Sequence, residues 1–174
     1  KITINIPQQH KEWARKVIAN DSIPIFLGII LNETTSSVKD IWPEIYWKGL
    51  LDYLSNKKHV NIAIVGTSKS KEFAHKLVCI NSKRIKNYCG KYNITQAAAI
   101  LSQSSLIVRE DSDYLQIASG VGPKVISLTP QNKKGVYGAM HVNLRETDPL
   151  KKGIDSIQGM VSLTIDQVIK EIGL

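Results

Sequence analysis

Several features are scarce or missing in this sequence, and each absence closes a route. Two cysteines, Cys79 and Cys89, are all that 174 residues contain. That is too few for a disulfide framework or a metal site, and they read as reduced structural thiols. No apolar run approaches the roughly 18–20 residues of a membrane span. The longest, Ile23–Leu31, is strand-sized and is interrupted by Pro24 and Gly28. The chain starts at Lys1 with no signal-peptide pattern behind it, which reads as a trimmed fragment. No run of five basic residues occurs, which argues against nucleic acid as a partner. The Gly-x-Ser-x-Gly elbow of a serine hydrolase is absent, and Ser68 and Ser70 lack the Gly-rich and Gly-Lys-Ser elements of a phosphate loop. His10, His59, His75 and His141 stand far apart and read as surface or half-buried structural residues.

What is present describes a folded α/β chain. Hydrophobic residues make up 43% and charged residues 22%, a globular balance. The length suits one ordinary domain, or one half of a two-domain protein. A net charge of +8 favours anionic partners such as phosphorylated small molecules or an anionic membrane face, although the lysines are scattered.

Apolar residues at Trp13, Ala14, Val17 and Ile18 predict an amphipathic helix over Gln8–Ala19. Ile23–Leu31 is rich in β-branched residues and predicts a strand buried on both faces. A polar loop, Asn32–Asp40, leads to a helix over Pro43–Asn56 with Trp42 and Trp47 as core anchors. Val60–Val65 predicts a strand ending at Gly66, followed by a polar turn Thr67–Ser70 and a helix Lys71–Ile80. Arg84–Cys89 is a weaker strand, and Asn93 or Thr95 caps an Ala-rich helix over Gln96–Gln103. Tyr137–Leu144 reads as a strand. Thr164-x-x-Gln167 is a capping-box signature for a last helix, Ile165–Ile172, ended by Gly173. Strand–helix alternation about every 25 residues predicts an open parallel sheet of about five or six strands with helices on both faces.

The most informative stretch is Ser104–Pro130. It reads as a strand Leu106–Val108, a polar turn Arg109–Asp113, a helix Tyr114–Ser119, a Gly-x-Gly-Pro break and a strand Val125–Leu128. In a parallel sheet the turn after such a strand points at the ligand crevice, and the next helix offers free N–H groups to an anion. A small ligand is therefore expected at Arg109–Gln116.

The order of these pieces resembles glycosyltransferase family 9, the heptosyltransferases of bacterial lipopolysaccharide core assembly. Thr35-Ser-Ser-Val-Lys39-Asp-Ile-Trp42-Pro43 resembles the family's Thr-x-x-x-Lys-x-Trp-Pro loop. Cys89-Gly90-Lys91 with Asn93–Leu101 is similar to its Gly-Lys segment and Ala-rich helix. Leu106-Ile-Val-x-x-Asp111-Ser112 is similar to its strand followed by Asn-Asp-Ser-Gly-Pro-x-His, and Ile117–Pro130 to its next helix and strand. The resemblance covers the C-terminal, donor-binding half of a two-domain GT-B protein. It implies a lead-in helix and linker over 1–22, a Rossmann-like nucleotide-sugar domain over 23–174, and an N-terminal acceptor domain outside this chain.

It also implies a chemistry. Lys39 would reach a phosphate oxygen of a nucleotide-diphosphate sugar, expected to be ADP-heptose, with Thr35 adding a hydroxyl donor. Gly66, Asp111, Ser112, Asp113 and Gln116 would complete the donor site, Ser112 serving equally as a helix N-cap. The base that activates the acceptor, a lipopolysaccharide precursor, would lie in the other domain, so no catalytic residue is expected here and the chain alone should not catalyse. No cofactor is expected; Asp111 with Asp113 is a poor Mg²⁺ signature. The implied location is cytoplasmic, with peripheral contact to an anionic inner membrane.

The departures from the pattern carry information. Asp113, Tyr114 and Gln116 stand where the family has Gly, Pro and His. A carboxylate about 5 Å from a phosphate, at an effective dielectric of about 20, costs roughly 3 kcal/mol, or about a hundredfold in affinity, unless Arg109 or a cation offsets it. After Gly66, Thr67-Ser-Lys-Ser-Lys71 lacks the family's Gly-Gly-Pro-x-Glu turn, so a ribose-binding carboxylate is missing unless Glu72 serves. These departures keep open a second reading, a non-catalytic relative acting as a binding or assembly module. A third, an unrelated α/β binding or regulatory domain, would make the ordered matches coincidence.

Overall fold

Strand periodicity decides the architecture. In the computed structural model the described residues are 4–18, 25–30, 41–110, 115–129, 141–145 and 163–174. For 25–27, 29, 30, 115, 116, 119, 129 and 141–145 only the backbone is considered. Among the described residues six strands form one sheet: β1 (Ile25–Ile30), β2 (Val60–Val65), β3 (Ile85–Asn87), β4 (Leu106–Glu110), β5 (Lys124–Thr129) and β6 (His141–Arg145). Their order is β3-β2-β1-β4-β5-β6, and every pairing is parallel. The expected open parallel sheet is therefore present, with helices on both faces.

Successive side chains of a strand point to opposite faces. Val60, Ile62 and Ile64 of β2, Leu106 and Val108 of β4, and Ile126 and Leu128 of β5 accordingly enter one core. Ala63, Val65, Ile107 and Val125 enter the other. The first core is closed by α2 (Glu44–Ser55), α3 (Lys71–Val78) and α6 (Ile165–Ile172), the second by α1 (Gln8–Ile18), α4 (Ile94–Ser102) and α5 (Leu115–Gly120). The change of face follows from the strand order. The chain steps outward from β1 to β3, then crosses back to β4 on the far side of β1. Because crossovers between parallel strands are right-handed, reversing direction moves the connecting helices to the other face.

Local signals set the helix ends. Asn93 accepts from the Gln96 N–H at 2.9 Å, while Gln96 Oε1 accepts from the Asn93 N–H at 3.1 Å. The cap is thus Asn93, and Thr95 lies inside the helix. Thr164 and Gln167 form the same reciprocal box at α6, and Gly173 ends that helix at φ 74°. Trp42 and Trp47 are fully buried and stack edge to face, with ring centroids 4.9 Å apart. Trp42 Nε1 donates to the Leu163 carbonyl at 2.8 Å, tying the entry of α2 to α6.

The helix of the expected lead-in packs on the domain itself. Ala14 is fully buried, Trp13 meets Tyr92 edge to face at 4.8 Å, and the Ile4 N–H donates to the Gly120 carbonyl at 3.0 Å. A Cβ on Gly120 would lie 2.6 Å from Ile4 Cγ1, so the glycine is what lets the N-terminal segment close down on α5. Gly120 is the last residue of α5, where a break in the chain was expected. Cys89 is buried as a structural thiol should be, whereas Cys79 is exposed at the end of α3. His59 and His75 are exposed and His10 is half-buried, as expected of structural histidines. The strand expected over Tyr137–Leu144 is present as His141–Arg145 among the described residues; residues 137–140 lie outside them.

Candidate functional site

A parallel sheet gathers all strand carboxyl ends on one edge. The strand order reverses between β1 and β4, where Ile30 stands in register with Arg109. Such a switch point opens a crevice, because the connections leaving the two strands run to opposite sides of the sheet. The segment after β1 carries Thr35 and Lys39; the segment after β4 carries Asp111, Ser112 and Asp113. Residues 31–40 and 111–114 lie outside the described residues, so these five candidates and Tyr114 have no structural account. Gln116 falls in the first turn of α5, on backbone evidence alone.

The residues flanking those segments are defined and show what the sequence reading missed. Arg109 and Glu110 were expected in a polar turn; both belong to β4, and their exposures are 0% and 1%. Alternation along β4 sends them to opposite faces. Arg109 Nε donates to Ser127 Oγ at 2.7 Å, across the β4–β5 pair where the two residues are register partners. Glu110 Oε1 accepts from the Trp42 N–H at 2.6 Å. That N–H belongs to the residue before Pro43, the N-cap of α2, so the carboxylate lies at the positive end of the helix and holds its entry against the end of β4. Burying a charge without partners is prohibitively unfavourable, which is why these two are bonded. No local sequence signal marks them; their place in the strand is set by the five-residue register of Leu106–Glu110 with Lys124–Leu128.

Gly66 is placed by a second pair of turns. The Gly90 N–H donates to the Gly66 carbonyl at 2.9 Å, clamping the turn after β3 to the turn after β2. Gly90 has φ +66°, and a Cβ there would meet Ser68 Cα at 2.8 Å, so only glycine fits this crossing. A Cβ on Gly66 would meet Cys89 Sγ at 3.3 Å. The turn Thr67–Ser70 tightens into a single 3-10 turn, Ser68–Ser70, with Thr67 Oγ1 accepting from the Lys69 N–H at 3.3 Å.

Beside this clamp lies an open cleft of about 380 Å³, lined by Ser68, Lys71, Glu72, His75 and Asn87. Asn87 Nδ2 donates to the Lys71 carbonyl at 3.0 Å and fixes the cleft wall between α3 and β3. The side chains include a cation, a carboxylate, an imidazole and a hydroxyl, while the Asn87 amide is already engaged, its Oδ1 accepting from the Cys89 N–H at 2.9 Å. Glu72, considered above as a substitute carboxylate, lies here; His75 and Asn87 carried no local sequence signal. Among the described residues no group of three or more His, Cys, Asp or Glu could hold a metal ion. No helix among them is long and apolar enough to cross a membrane.

Comparison with known proteins agrees with this geometry. No curated protein sequence matches the chain. Among solved structures, E. coli ADP-heptose lipopolysaccharide heptosyltransferase II superposes with a TM-score of 0.79 at 16% identity, over 98% of this chain and 52% of its own. A glycosyl transferase family 9 protein from Veillonella parvula gives 0.80 at 19% identity, over 97% and 51%. E. coli heptosyltransferase WaaC, solved with ADP-2-deoxy-2-fluoro heptose, gives 0.65 at 16% identity, over 91% and 46%. At such identities the superpositions establish the fold, that of GT-B heptosyltransferases, and the chain spans about half the length of each relative. The family model for glycosyltransferase family 9 (heptosyltransferase) matches residues 6–150. The chain belongs to glycosyltransferase family 9.

Proposed function

We propose that the chain is the donor-binding half of a heptosyltransferase-like glycosyltransferase, positioning a nucleotide-diphosphate sugar for transfer to a lipopolysaccharide precursor held by an N-terminal domain. The reading divides the protein into a lead-in over 1–22 and a donor domain over 23–174. The observation that carries it is the hydrogen bond between Glu110 and Trp42 across the switch point. Asp111 directly follows Glu110 in the chain, and Lys39 precedes Trp42 by three residues. The two candidate segments therefore depart from neighbours held 2.6 Å apart at the place where open α/β sheets bind ligands. WaaC, of the same fold, was solved with an ADP-sugar analogue, which supports an adenine nucleotide donor.

In this reading the work of the domain is electrostatic. Lys39, Thr35 and the N–H groups opening α5 stabilise the diphosphate as it departs. Ser112 and Gln116 hold the sugar–phosphate end, and Gly66 keeps the turn after β2 low enough for the nucleotide to pass. Glu72, in the cleft it lines with Ser68 and Asn87, would accept hydrogen bonds from ribose hydroxyls in place of the missing carboxylate. The base for the acceptor comes, in this reading, from the N-terminal domain, and among the described residues no group of three or more His, Cys, Asp or Glu could hold a metal ion. The protein works in the cytoplasm and contacts an anionic membrane surface, a partner supported by its net charge of +8.

Calorimetric titration with ADP and with UDP, each with and without Mg²⁺, tests the reading. Micromolar ADP binding that falls at least about tenfold in Lys39→Ala is expected, the loss of one charge-assisted contact. Asp113→Gly is expected to tighten binding by up to about a hundredfold, through removal of a carboxylate near the phosphates. Binding in Asp113→Gly but not in the natural sequence would identify a retained fold with an inactivated donor site. Silence from both would sink the nucleotide-sugar reading.

A further inference from the structure

We infer that the β3 flank of the domain is the surface that docks on an anionic lipid bilayer. This rests on the membrane contact proposed above and assigns it to one face; it is independent of donor binding. The distribution of charge carries the inference. Residues 53–108 contain nine lysines and arginines against one carboxylate, Glu72. That excess equals the whole chain's net charge of +8, so the rest of the chain is neutral taken together.

The fold gathers these cations along the β2–β3 edge. Lys57 and Lys58 lie in the turn before β2, and Lys83 and Arg84 in the turn before β3. The two turns are bound together: Asn81 Nδ2 donates to the Ser55 carbonyl at 3.3 Å, and the Ile62 N–H to the Arg84 carbonyl at 2.8 Å. Lys86 is exposed on β3 itself, and Lys91 is exposed just beyond its other end. The ion pairs among the described residues are Lys48–Glu44 and Lys124–Glu171, so none of these six cations is neutralised by a carboxylate there.

Local roles cover only part of the excess. A lysine on a short edge strand discourages strand pairing, which accounts for Lys86. A cation near a helix C-terminus is favourable, which accounts for Lys57. Lys58 and Lys83 are exposed, have no such role, and add self-repulsion that the fold must carry.

The composition fits lipid headgroups better than nucleic acid. Eight of the nine cations are lysines, hydrated point charges suited to a diffuse anionic surface, whereas forked phosphate recognition uses arginine. The tyrosines of the flank are not presented for base stacking. Tyr53 packs on one core under Lys57, whose Nζ is 4.5 Å from the ring centre, and Tyr88 and Tyr92 pack on the other. The switch point lies two strands in from β3, about 10 Å, so docking by this edge leaves the crevice open.

Co-sedimentation of the purified protein with phosphatidylglycerol–phosphatidylcholine vesicles tests the inference, with pure phosphatidylcholine vesicles and a DNA duplex as competitors. The triple variant Lys58→Gln, Lys83→Gln, Lys86→Gln is compared with Lys11→Gln, Lys16→Gln, Lys170→Gln, which removes as much charge from α1 and α6. The expected result is salt-sensitive binding to the anionic vesicles alone, reduced at least about tenfold in the flank variant and less than about twofold in the other. Equal losses in the two variants would overturn the assignment to the flank while leaving membrane contact standing. No vesicle binding by the natural sequence would overturn both. Preference for the DNA duplex would overturn the choice of lipid. Thermal melting and ADP titration of both variants separate a folding or donor-site defect from a docking defect.

Discussion

The two faces of the sheet are built from different side chains. The face under α2, α3 and α6 is filled by large residues, with Trp42, Trp47, Leu50, Leu51 and Leu54 fully buried. The face under α1, α4 and α5 sets six small residues, Ala14, Ala63, Ala97, Ala98, Ala99 and Ala118, among its aliphatic ones. Small residues let a helix backbone approach the sheet closely, and the glycine of β1 shows how closely. A Cβ at Gly28 would lie 2.7 Å from Leu101 Cδ2 of α4 and 2.9 Å from Ser104 Oγ. One face is thus stabilised by bulk and the other by proximity. They should fail in opposite ways, the first when volume is removed and the second when volume is added.

The largest effect should come from removing bulk. Trp47→Ala is expected to cost about 3–5 kcal/mol in chemical denaturation, because the surrounding core cannot close the space. A loss below about 1 kcal/mol would mean that this face is loosely packed. Trp47→Phe should cost less, since among the described residues the buried indole Nε1 has no hydrogen-bond partner to lose. On the other face Ala98→Leu is expected to cost about 1–3 kcal/mol by overpacking, whereas a volume-conserving swap at the exposed Ile94, Ile94→Leu, should be near neutral.

Helix caps sharpen the comparison because they are indifferent to the face. Asn93→Ala on α4 and Thr164→Ala on α6 each remove the side-chain half of an identical box. Each should cost about 1 kcal/mol, and unequal losses would show that face packing, not capping, governs the helix end. The smallest effect is at the surface. The Glu44 carboxyl is held below its ordinary 4.5 first by its hydrogen bond to Lys48, then by the charges of Lys48 and Lys76. A depressed carboxyl contributes stability at neutral pH that is lost as pH falls through its folded value. Lys48→Gln should return the Glu44 titration towards 4.5 in an NMR pH series, with little change in unfolding midpoint.

Much of this was legible in the residues. Periodicity located the helices from Gln8, Pro43, Lys71 and Thr164, and the runs Val60–Val65 and Val125–Leu128 located strands to within one residue at either end. Arg109 and Glu110 were not legible, because a charged pair after an apolar run looks the same in a solvated turn as in a strand. Their burial depends on Ser127 and the Trp42 N–H, 18 and 68 residues from their partners in sequence. Gly90 likewise read as part of a Gly-Lys segment, and its need for a positive φ became visible only against Ser68. The resemblance identified the family from ordered motifs, and the match over residues 6–150 established it.

The sequence by itself determined the alternation of strand and helix, the cap at Thr164, the burial of Trp42 and Trp47 and the family, because each is encoded in local spacing or in an ordered set of motifs. Only the tertiary structure decided which helices share a face and where the strand order reverses. It also decided which turns are clamped together and that six cations scattered in the sequence share one flank. These depend on which strands become neighbours, and strand order is fixed by long-range pairing that no window of the chain contains.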